Sequence, residues 1–161
     1  MFIQRERRDD DLLTELLNLD TIRMTNEVAN WQDAIYAASY PLLQQKKIEK
    51  RYVQAMIESI EQHGPYVVLT PKVAIPHARP SDGVNELSMS LLTLRKPVQF
   101  GADKPVHLII VLAATDHETH LQALVDLTQV LEDANQIDNI IGCQHPLCIM
   151  EKIKQYATKE R

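Results

Sequence analysis

The run Val106-His107-Leu108-Ile109-Ile110-Val111-Leu112-Ala113-Ala114 is almost continuously apolar. A strand with water on one face alternates apolar and polar residues, whereas a strand covered on both faces reads as an unbroken apolar run. The segment is far shorter than the roughly 20 residues that cross a bilayer. It therefore needs protein on both sides. The expected architecture is α/β: a central, largely buried sheet between two layers of helices, a three-layer sandwich.

The rest of the chain supplies such helices. From Asp9 to Leu19, five leucines (12, 13, 16, 17 and 19) share one broad helical face. Asn30 is placed to cap a helix through Trp31, Ala34, Ile35, Ala38 and Leu42. A third helix is expected from about Glu49 to Gln62 and stops at His63-Gly64-Pro65. Then the pattern changes. Tyr66-Val67-Val68-Leu69, Val73-Ala74-Ile75 and Leu87 to Leu94 read as strands, with turns at Asp82-Gly83 and Phe100-Gly101-Ala102-Asp103. After the long strand, Thr115 and Glu118 are spaced as a capping box. The helix that follows carries His120, Leu124, Leu127 and Leu131 on one face. Two helical segments end the chain, the last starting near His145-Pro146. The 161 residues suit a single domain over 1–161, with 1–20 as an N-terminal helical extension.

The formal net charge of −5 argues against nucleic acid as a partner, because such binding relies on basic surface. The N-terminal stretch is charged and has no signal-peptide core, so a cytoplasmic location is expected. The two cysteines, Cys143 and Cys148, are spaced C-x4-C, which is neither a redox C-x-x-C pair nor a common zinc hook. They are expected as free, buried thiols.

Two of the six histidines stand apart. His77 lies in Val73-Ala74-Ile75-Pro76-His77-Ala78-Arg79-Pro80, where two prolines stiffen the backbone on either side of it. His120 lies in the early turns of the helix after the long strand. In open sheets, ligand chemistry gathers beyond the carboxyl ends of strands, so both histidines are expected to converge on one site. The positive end of the helix dipole favours anions there and disfavours imidazolium. Neutral imidazoles in such a place suit phosphate, one as nucleophile and one as donor. Arg79 has the fork geometry for a phosphate contact. His117 is expected to face solvent, His107 to flank a strand, His63 to end a helix and His145 to cap or lie on the surface. No glycine-rich nucleotide cradle and no nucleophile elbow occurs. No metal and no cofactor is expected.

Around His77 the chain resembles a known family. Ala74-Ile75-Pro76-His77-Ala78 looks like the active-site signature of the IIA domains of the bacterial sugar phosphotransferase system, mannitol/fructose type. The stretch from Gly64-Pro65-Tyr66 to Ala78-Arg79-Pro80-Ser81-Asp82-Gly83 is more similar to the L-ascorbate subgroup, as are Asn30-Trp31-Gln32-Asp33 and Val111-Leu112-Ala113-Ala114-Thr115-Asp116. The resemblance implies a mixed five-stranded sheet flanked by helices. It implies that His77 takes a phosphoryl group from the phosphohistidine of HPr and passes it to a cysteine of a cognate IIB protein, while a membrane IIC protein moves the sugar. His120 would be the supporting neighbour. Mannitol-type chains carry an arginine where this chain has Ser59-Ile60-Glu61, a departure that leaves the neutralisation of the phosphate unassigned. Other readings stay open: a regulatory module controlled by phosphorylation, transport of a different sugar or pentitol, or a metal-dependent hydrolase built from His77, His120 and Asp116. The leucine-rich N-terminal helix also leaves a homodimer open.

Overall fold

The computed structural model describes residues 9–157. In chain order the elements are α1 (Asp9–Leu16), β1 (Ile22–Thr25), α2 (Trp31–Gln44), α3 (Lys50–His63), β2 (Lys72–Ala74), β3 (Ser88–Gln99), β4 (Pro105–Ala113), α4 (His117–Val130), α5 (Ala134–Ile141) and α6 (Pro146–Ala157). Among the described residues the sheet has four strands in the order β1-β3-β4-β2. The central pair β3–β4 is antiparallel, and each outer strand runs parallel to its neighbour.

The apolar run becomes β4, and its side chains alternate between two cores. Leu108, Ile110 and Leu112 pack with α1, α4, α5 and α6 residues such as Leu13, Leu127, Ile137 and Ile149. Val106, Ile109, Val111 and Ala113 pack with α2 and α3 residues such as Ile35, Leu42, Tyr52 and Met56. Both faces of the strand are dry from Leu108 onward, and only the half-buried His107 near its start breaks the apolar run. Each fully buried aliphatic side chain of this kind contributes about 1.5–3 kcal/mol.

The sheet corrects the five-stranded expectation. Tyr66–Leu69 is not a strand. Pro65 and Pro71 bracket it, and its backbone closes turns instead: Tyr66 N–H donates to Gly64 O at 2.8 Å and Val68 N–H to Pro65 O at 3.1 Å. Only Val67 of the four is fully buried. The edge strand β1 is absent from the sequence-based expectation. Its four residues, Ile-Arg-Met-Thr, bury one side chain completely, so the pattern carries little strand signal.

The N-terminal helix packs into the core of its own chain. Leu13 and Leu17 are buried in the core with Ile22, and of the leucines from 12 to 19 only Leu19 is largely exposed.

The cysteines are corrected too. Cys143 follows the end of α5, Cys148 lies in the first turn of α6, and the chain between them folds back to join them in a disulfide with Cα atoms 5.7 Å apart. A spacing rule based on C-x-x-C does not see this, because helix termini rather than sequence distance bring the two sulfurs together.

Candidate functional site

Because β2 and β4 are parallel neighbours, their carboxyl ends open on the same edge of the sheet. The chain leaving β2 runs through Ile75 and Pro76 to His77. The chain leaving β4 runs through Thr115 and Asp116 into α4. Pro76 O accepts from Leu112 N–H at 3.1 Å, so the segment before His77 stays tied to β4 beyond the end of β2. The rings of His77 and His120 lie with centroids 4.9 Å apart at 62°. The convergence expected of the two histidines is present.

A cleft of about 500 Å³ opens over them. The α3 residues Glu58, Ser59, Gln62 and His63 form one wall, Arg79 and Asp82 a second, and His117 with His120 a third. Four of the six histidines thus line one opening. His117 is exposed, as expected, but toward the cleft. His63 ends α3, its Nδ1 donating to Ser59 O at 3.0 Å. Arg79 is exposed and lines the cleft, and its N–H donates to the Asp82 carboxylate at 3.0 Å. Outside the cleft, His107 Nδ1 is 2.8 Å from Leu94 O. His145 Nδ1 accepts from Leu147 N–H at the start of α6.

His77 Nδ1 sits 2.8 Å from the Ile75 carbonyl oxygen. A carbonyl only accepts, so the proton is on Nδ1 and Nε2 keeps its lone pair. Burial lowers the pKa of the ring; the bond to Ile75 opposes this in part, and burial wins. The pKa of His120 is lowered as well, by burial first and then by the neighbouring His77 and His117. Both rings are therefore neutral near pH 7. The pair can offer one nucleophilic nitrogen and one hydrogen-bond partner to an electrophilic, anionic group.

The start of α4 differs in one detail from the capping box. Asp116, not Thr115, is the cap: one carboxylate oxygen accepts from Thr119 N–H at 2.7 Å and the other from Thr119 Oγ1 at 2.8 Å. These bonds hold the Asp116 pKa below the usual carboxylate value. Both oxygens are occupied in fixing the helix that carries His120.

Two tyrosines escaped the sequence reading. Tyr52 is wholly buried, and its hydroxyl accepts from Ala78 N–H at 3.0 Å and donates to Leu112 O at 2.6 Å. It ties the loop after His77 to the end of β4. Burial raises its pKa, so it remains a neutral phenol. Gly83 lets this loop lie against α3: a Cβ there would come within 3.0 Å of Arg51 Cγ and 3.1 Å of Tyr52 N, and its φ is +129°. Tyr66 stands edge-on to His77, with centroids 5.9 Å apart at 87°. Tyr52 was visible in the sequence only as one apolar position of α3, and Tyr66 only as a strand residue and a member of the stretch similar to the L-ascorbate subgroup, with no role at the site.

The model of the phosphoenolpyruvate-dependent sugar phosphotransferase system EIIA 2 family matches residues 15–156. The chain belongs to that family. Among EIIA relatives, the chain is 37% identical over 127 residues to the ascorbate-specific PTS system EIIA component of Shigella boydii, covering 77% of this chain and 82% of the relative. It is 31% identical to the mannitol-specific cryptic enzyme IIA of Escherichia coli, with a TM-score of 0.83 over 89% of this chain and 98% of the other. The Escherichia coli mannitol IIA enzyme, solved in complex with phosphorylated enzyme IIB, matches at 26% identity with a TM-score of 0.76, over 85% of this chain and 96% of the other. Among the described residues, no helix is long and apolar enough to cross a membrane.

Proposed function

We propose that this chain is a phosphohistidine carrier of a bacterial sugar phosphotransferase system, acting in the cytoplasm. His77 accepts a phosphoryl group on Nε2 from the phosphohistidine of HPr and passes it to a cysteine of a IIB protein, which works with a membrane IIC protein. The observation that carries this reading is the bond from His77 Nδ1 to the Ile75 carbonyl, which leaves Nε2 as the free, unprotonated nitrogen of a ring set in an open cleft. In the accepting step, the phosphorus–nitrogen bond of the donor breaks and its electron pair returns to the donor ring. The Nε2 lone pair forms the new bond, and Nδ1 keeps its proton on the Ile75 carbonyl. His120, packed against the His77 ring, supports it and faces the incoming oxygens. Arg79 on the cleft wall supplies a cation for them. Ascorbate is the proposed cargo of the associated transporter, by the similarity to the ascorbate-specific relative.

Incubation with enzyme I, HPr and phosphoenolpyruvate should give an acid-labile adduct of one phosphoryl group on His77. His77→Ala should abolish it. An adduct that survives this substitution would overturn the assignment. Transfer onward is read by adding the IIB protein of an ascorbate system and, in parallel, that of a mannitol system. Phosphate passing only to the mannitol protein would reject the proposed cargo and keep the carrier.

A further inference from the structure

Tyr66 is 41% exposed. An exposed tyrosine free to move gains little from a fixed pose, yet this one is held on three sides. Its ring stands edge-on to His77 and, at 6.4 Å and 83°, to His63. Its hydroxyl lies 2.8 Å from Ser59 Oγ. Ser59 is itself fixed on α3, where its carbonyl receives His63 Nδ1. The backbone of Tyr66 is set by the turn after Gly64. Ser59, Tyr66 and His77 all line the same cleft.

The charge on the cleft walls gives this arrangement a use. Glu58 and Asp82 line the opening along with Arg79. A phosphoryl group on His77 would bring negative charge among carboxylates, and both neutral imidazoles resist taking a compensating proton. An uncharged donor serves well there. Either oxygen of the Ser59–Tyr66 pair can be the donor. When Ser59 donates to the phenolic oxygen, the phenol proton is free to turn toward the cleft.

We propose that Tyr66, oriented by Ser59, is a further catalytic residue that donates a hydrogen bond to a phosphoryl oxygen on His77. The inference rests on the phosphocarrier reading. The tyrosine keeps its proton throughout. Its bond to the phosphoryl oxygen strengthens as the group becomes a bound dianion, while the phosphorus–nitrogen bonds exchange as described above. Hydrogen bonds to charged groups are stronger than neutral ones, so loss of this donor should slow the reaction about tenfold or more.

The test uses the full chain with two phosphoryl donors: phospho-HPr, and phosphoramidate, a small donor that needs no protein contact and leaves ammonia. Tyr66→Phe retains the ring and removes only the hydroxyl, at a site exposed enough to leave thermal unfolding unchanged. The expected result is phosphorylation about tenfold slower with both donors. The phosphorus NMR titration of the phosphohistidine should also move to higher pH, because its dianion has lost a donor. Ser59→Ala should shift both readouts in the same direction, by less. Wild-type rates with both donors and an unmoved titration would overturn the role of Tyr66 and leave the carrier reading intact. Slowing with phospho-HPr alone would make Tyr66 a docking residue and likewise overturn the proposal. A wild-type chain that takes phosphate from neither donor would end both readings together.

Discussion

A ring nitrogen that attacks phosphorus has to be unprotonated, and the burial that keeps His77 neutral also links it to stability. The His77 pKa in the folded chain lies below the ordinary 6.5, and so does that of His120. Between the ordinary value and the lowered one, the unfolded chain binds more protons than the folded one. Stability is therefore fully present above about pH 6.5 and is lost as pH falls through the folded pKa values. Urea unfolding from about pH 8 to about pH 5 should show this fall, and His120→Gln should show a smaller one. Parallel pH profiles for the two proteins would refute the linkage. Tyr52 gives a second expectation. Tyr52→Phe deprives Ala78 N–H and Leu112 O of the hydroxyl that bridges them. Leaving a buried polar group unmatched costs about 1–3 kcal/mol. Denaturant unfolding should register that loss, and the nitrogen NMR shifts of His77 should report whether its Nδ1–H bond to Ile75 survives.

Helix ends, more than helix interiors, set the chemistry and the errors of reading. The Cys143–Cys148 bridge closes a short loop between the end of α5 and the start of α6. For a loop this small, chain entropy assigns about 2 kcal/mol to the bridge. Full reduction, or Cys148→Ser, should lower the melting temperature by about 4–8 °C, since each kcal/mol is worth about 2–4 °C at this size. A thiol count should rise in step. Free thiols in the untreated protein, with a melting temperature indifferent to reductant, would contradict the bridge. This feature was illegible from spacing because it depends on how two helices end. The same holds for the start of α4, where Thr115 and Asp116 both suit a cap and only the geometry chooses Asp116. Strands followed a different rule. β4 was legible because both its faces are dry, while β1 was not, because an edge strand of four residues with one buried side chain has no pattern to read. Tyr66–Leu69 has strand-like composition, but its flanking prolines and turn bonds prevail. Of the site, His77 and His120 were legible because each follows a strand. Ser59, Tyr52 and Tyr66 were not, because their roles arise from packing between α3 and the loops around His77.

At the scale of the molecule, the two cores stand on opposite faces of one thin sheet, and the site lies where β2 and β4 end between them. The core on the α1 side takes Leu13 and Leu17 as well as residues from α4, the helix that carries His120. Damage to α1 should therefore act on the whole fold rather than on association. Domains of this size are stable by about 5–15 kcal/mol in total. Truncating a buried leucine to alanine leaves a cavity and costs about 2–5 kcal/mol. Leu13→Ala should remove a large share of the stability, and Leu13→Ala with Leu17→Ala should leave little folded protein at 37 °C. Leu19→Ala serves as the control, because Leu19 is 53% exposed and its loss should be nearly silent. If the leucines instead held two copies together, the unfolding midpoint would rise with protein concentration, and the alanine variants would erase that dependence. Denaturant unfolding at two concentrations separates the cases. A midpoint independent of concentration, lowered by Leu13→Ala and untouched by Leu19→Ala, is the outcome expected of a helix that belongs to its own core.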